Sequence, residues 1–72
     1  MTRNRIARHV ERFKAMGILA DSYNATSKEA LVNSLNELVN LYDRRLNQCD
    51  ASEVEQTSRR LEDARWARAQ VL

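Results

Sequence analysis

The chain has no proline, one glycine and one cysteine in its seventy-two residues. No alternating run of β-branched residues bounded by turn dipeptides is present, so no sheet is predicted. A single cysteine, Cys49, excludes an internal disulfide and a cysteine-based zinc site, and is compatible with a reducing compartment. No apolar run approaches the ~18 residues that a membrane span needs. The N-terminus carries arginines without the apolar core of a secretory signal, so the expected location is cytoplasmic. His9 is the only histidine. No acidic or thiol partner follows it at a spacing that general-base or metal chemistry uses. A phosphate-binding glycine loop is also missing. These absences predict a chain that is not an enzyme, with no catalytic residue, no metal and no cofactor.

What is present is helical periodicity. The longest periodic stretch is Ser27 to Gln48. With Leu35 at the centre of a helical wheel, Leu31, Leu38, Tyr42 and Leu46 fall close to it, and Val32 and Val39 fill the other shoulder. The result is an apolar stripe about 120° wide over more than four turns. Thr26 and Glu29 have capping-box spacing at its start, and Arg44 and Arg45 suit the negative pole at its end. Leu41 lies about 120° off the stripe, so either a second neighbour covers it or it stays exposed.

A first helix is predicted over residues 3–16, with Ile6, Val10 and Phe13 on one face and Gly17 as the left-handed residue that ends it. Residues 18–26 hold the turn and cap residues Asp21, Ser22, Asn24 and Thr26. After a short break at residues 49–52, where Asp50 with Glu53 and Ser52 with Glu55 have capping-box spacing, a third helix is predicted to about Val71. Its apolar face reads as Val54, Thr57, Ser58, Leu61, Ala64 and Leu72, interrupted by Arg65 and Arg68. Trp66 lies about 140° from Leu61 on the same wheel. A break this short makes the second and third helices antiparallel neighbours. The expected fold is therefore all-α. Residues 1–72 form a single domain in which helices two and three make a hairpin and a basic N-terminal helix packs against it.

Charge is distributed unevenly. Residues 1–16 carry Arg3, Arg5, Arg8, Arg12 and Lys14 against Glu11, whereas residues 17–50 are net acidic and residues 51–72 are balanced. Arg5, Arg8 and Arg12 share one face, which reads as a solvated basic face, a site for an acidic protein partner or a phosphate-binding one. The stretch from Leu19 to Lys28 has a faint look of a helix-turn-helix element, but Tyr23 stands where a small residue is usual and Ser34 where an apolar one is. The second helix, with its broad apolar stripe, also leaves little room to read bases.

Two further stretches carry a resemblance. Glu29-Ala30-Leu31, Leu35, Leu38 and Asp43-Arg44-Arg45, followed by Glu53-Val54-Glu55, Ser58-Arg59-Arg60-Leu61 and Arg65, are similar in leucine and charge spacing to the N-terminal oligomerisation region of the nucleoid-structuring H-NS proteins. The resemblance covers roughly residues 28–65. In that family the region runs as one long helix, whereas Cys49-Asp50-Ala51-Ser52 reads as a turn here. The resemblance implies a self-associating regulator or a truncated antagonist.

The functional expectation is a small protein–protein interaction module, acting as a regulator, inhibitor or adaptor. Its partner would be another protein, one with an acidic surface, and the chain itself is expected to be a homodimer. The less favoured alternative is a nucleic-acid-binding regulator that uses the basic first helix. Candidate partner-binding residues are Arg5, Arg8, Arg12, Leu41, Arg59 and Trp66. Trp66 qualifies because a large aromatic away from the helix's own apolar line is costly to leave wet and is enriched at interface centres.

Overall fold

Three helices make up the fold in a computed structural model that describes residues 5–72: α1 (Arg5–Ala15), α2 (Lys28–Gln48) and α3 (Ala51–Val71). The expected start of the first helix at residue 3, and the charge of Arg3, lie outside the described residues. Among the described residues there is no strand, and no helix is long and apolar enough to cross a membrane.

Gly17 ends α1 as its position implies. Its φ is +79°, the left-handed region that glycine enters without steric cost. The Gly17 N–H donates to the Lys14 carbonyl (3.0 Å) and the Ile18 N–H to the Phe13 carbonyl (2.9 Å). This pair of bonds is the Schellman arrangement, and it satisfies carbonyls that the last helical turn leaves open. The turn also throws Ile18 and Leu19 back onto the core, where Leu19 is buried.

The start of α2 differs by one residue from the expected capping box. Ser27, not Thr26, is the cap: its backbone is extended, and its Oγ accepts from the Ala30 N–H at 3.2 Å. Two adjacent hydroxyl residues leave the cap register open locally. Here Ala25 is packed against the core just upstream, so the entry of the chain is set by tertiary contacts. Glu29 then sits in the first turn, where its charge faces the positive end of the helix dipole.

The reversal between α2 and α3 takes two extended residues, Cys49 and Asp50. The Cys49 N–H closes α2 on the Arg45 carbonyl at 2.8 Å. Asp50 occupies the cap position of α3, yet its side chain makes no capping bond. The expected antiparallel hairpin is therefore present, and the stretch with H-NS-like spacing is divided by it into two helices.

Leu31, Leu35 and Val39 of α2 face Thr57, Leu61, Ala64, Ala67 and Val71 of α3 in the buried seam. The small side chains on α3 allow the two backbones to approach closely. The buried face of α3 is rotated from the expected one. Val54 and Leu72 are exposed, while Ala67 and Val71 are buried. A helix that touches two neighbours buries a face centred between them, and α3 touches both α2 and α1. Arg68, expected as an intruder on this face, instead donates from Nη1 to Asn36 Oδ1 at 2.9 Å and ties the two helices in register.

The third layer is incomplete. Val10 and Phe13 of α1 join Leu19, Leu31, Leu35, Ala67 and Val71 in one core cluster at the open end of the hairpin. A second cluster, toward the turn, contains Val39, Leu61 and Ala64 with Leu38, Tyr42 and Leu46, all from α2 and α3. The molecule is correspondingly elongated, 49 × 20 × 19 Å. Residues 18–25 return along α2 as a strap. The Tyr23 hydroxyl donates to Ser34 Oγ (2.8 Å), which donates in turn to the Ala30 carbonyl (3.0 Å). This strap is not the short turn of a helix-turn-helix element, since no helix lies between Gly17 and Lys28. Ser34, out of place in that motif, is the hydroxyl that receives the strap.

Candidate partner-binding surface

The predicted binding residues fall on two separate surfaces. The first is the outer face of α1 together with one flank of α3. Arg5, Arg8 and Arg12 are exposed on α1, with Arg59 exposed on α3 two turns before Trp66. The fold brings Arg12 and Trp66 together: the guanidinium carbon lies 5.2 Å from the indole centroid. The ring of Phe13 meets Trp66 edge-on at 6.0 Å and 74°, and His9 stacks on Phe13 at 5.6 Å and 23°. Edge-on aromatic pairing and a cation over an indole face are both attractive. Phe13 has no exposed surface, whereas Trp66 keeps 36% of its own. Helix α1 thus wraps far enough to cover one part of the indole, and the rest remains open.

The second surface lies toward the hairpin turn, where no third helix packs among the described residues. Leu41 is 46% exposed there. It lines a groove of about 630 Å³ between α2 and α3, with Arg44, Arg45, Thr57 and Arg60. Glu53 is the one carboxylate among the lining residues. Leu41 also lines a second, adjoining groove of about 320 Å³, walled by Ile18, Leu19, Tyr23 and Leu38. It is therefore a ridge shared by two depressions. A small cleft lined by Gly17, Ile18, Tyr42, Arg60 and Asp63 marks where the chain leaving α1 meets the middle of the hairpin.

Sequence reasoning singled out Leu41 but not its neighbours. Arg44 and Arg45 suit the helix dipole, and Arg60 belongs to another helix. Only the two-residue reversal places them around one groove. The local signal available was an arginine pair on each side of the predicted turn, Arg44-Arg45 before it and Arg59-Arg60 after it.

Cys49 is half-buried in the wall of this groove, its Sγ 3.7 Å from the Leu46 carbonyl. Among the described residues, no group of three or more His, Cys, Asp or Glu side chains is placed to hold a metal ion. Comparison with family models, with curated proteins and with solved structures finds no match.

Proposed function

We propose that this protein is a non-enzymatic interaction module that acts as a regulator, inhibitor or adaptor by binding another protein. One observation carries the reading: the third helical layer covers the open half of the hairpin and stops. The other half is left with two helices and an exposed leucine between arginine-lined walls. At about 1.5 Å per residue, α1 spans about half the length of α2 or α3. Helical pairs of this kind present a ready groove for a partner helix. Self-association through the open edge of Trp66, expected from the sequence, has less surface to bury, because Phe13 and Arg12 already occupy part of the ring.

The test is affinity capture from the native host, with and without nuclease, using the wild-type chain and Leu41→Glu. We expect a protein that survives nuclease and is lost with the variant. Recovery of nuclease-sensitive material alone would overturn the reading. It would favour the second one, a nucleic-acid-binding regulator, which rests on the exposed Arg5/Arg8/Arg12 face of α1.

A further inference from the structure

We infer that the groove between α2 and α3 at the hairpin turn takes an acidic amphipathic helix of a partner protein, seated on Leu41 between Arg44, Arg45 and Arg60. This rests on the interaction-module reading above and specifies the partner's chemistry.

Among the described residues, only α2 and α3 build the half of the bundle toward the turn. Gly17 turns the chain away at the middle of the hairpin, so the groove beyond it lies where a third helix would continue the bundle. Its shape suits a helix better than a compact ligand: it is open and runs between two helices, and it adjoins a second depression across Leu41. Apolar surface lies along this track at the exposed Leu41 and at the half-buried Ile18 and Leu38 in the adjoining groove. A partner with apolar side chains at i, i+3 or i+4, and i+7 would cover that strip in the usual helix-in-groove manner.

Charge then selects the partner. Three exposed guanidinium groups flank the groove against Glu53, and the adjoining depression adds one further carboxylate, Glu37. Carboxylates on the borders of the incoming helix would meet arginines, which can bind them in bidentate fashion, whereas lysines there would be repelled. A second copy of this chain is poorly matched. The helix that lies outside its hairpin is α1, whose outer face carries Arg5, Arg8 and Arg12. A nucleic-acid backbone would meet the arginines but leave the apolar strip uncovered.

The experiment uses the full chain labelled with nitrogen-15 and three probes. One is a synthetic amphipathic peptide of about four turns, with leucines on one face and glutamates on its flanks. The second is the same peptide with lysines in place of the glutamates, and the third is a short DNA duplex. We expect the acidic peptide alone to bind, with amide shifts centred on Leu41, Arg45, Thr57 and Arg60. The exposed-site double variant Arg45→Glu/Arg60→Glu, checked for retained helicity, should weaken binding at least about tenfold, or ~1.4 kcal/mol. Equal binding of the lysine peptide, shifts centred on α1, preferential binding of the duplex, or shifts at Leu41 that follow the chain's own concentration would each overturn the inference. Affinity capture with the same double variant separates the two levels of the proposal. A nuclease-resistant partner still captured by Arg45→Glu/Arg60→Glu refutes the groove and leaves the module reading standing. Failure of the wild type to capture any such partner refutes the module reading itself.

Discussion

Leu35→Ala tests the core directly. Leu35 has no exposed surface and belongs to the cluster in which α1, α2, α3 and the strap all meet. Truncating a buried leucine to alanine costs about 2–5 kcal/mol, the larger values applying where neighbours cannot collapse into the space. Phe13, Leu31, Ala67 and Val71 belong to the same buried cluster and come from all three helices, so collapse is restricted. A cost of about 3–4 kcal/mol is expected. The whole stability of a chain this size is on the order of 4–11 kcal/mol at 0.05–0.15 kcal/mol per residue. The variant should therefore lose about a quarter or more of it and melt at least about 12 °C lower. Urea unfolding followed by circular dichroism measures this, with the slope against denaturant unchanged and the midpoint lowered. Leu41→Ala is the internal control, because Leu41 is 46% exposed and lies outside both core clusters. Its midpoint should shift by less than the equivalent of about 1 kcal/mol. Equal midpoints for the two variants would show that the buried face of α2 is wrongly assigned.

Four further outcomes are expected. Gly17→Ala should destabilise by about 1–2 kcal/mol through the left-handed backbone alone, since a Cβ there would meet nothing within 4 Å; a thermal melt unchanged from wild type would rule out the Schellman ending. Tyr23→Phe should cost about 0.5–1.5 kcal/mol and speed amide exchange across the strap, because the hydroxyl bond to Ser34 is lost; unchanged exchange would mean that the strap is held by apolar contacts. Trp66→Ala should lower the melting temperature, since Phe13 and Arg12 both lose a partner; an unchanged melt with a fall in sedimenting mass would assign the ring to a homodimer contact instead. Duplex DNA should bind no tighter than about micromolar at physiological salt, as non-specific contacts do; a sequence-specific nanomolar footprint, with a salt slope reduced by Arg5→Ala, Arg8→Ala or Arg12→Ala, would make α1 a nucleic-acid interface.

The sequence by itself determined the helices, their order and the hairpin. The leucine and valine spacing of residues 31–46, the single glycine and the short break at Cys49–Asp50 are local signals, and helix formation, capping and reversal respond to local chemistry. It also determined which residue of α2 stands off the core, because Leu41 is displaced on the wheel whatever the neighbours do. Tertiary structure decided the rest. Whether Thr26 or Ser27 caps α2 depended on how the strap packs. Whether Val54 or Ala67 is buried depended on α3 having two neighbours rather than one. Arg68 changed from an intruder to an interhelical donor because Asn36 is opposite it. The groove around Leu41 was illegible for the same reason. Its arginines lie on two helices, and their meeting depends on the hairpin geometry and on where α1 ends, which are relations between segments that the periodicity of one segment does not encode.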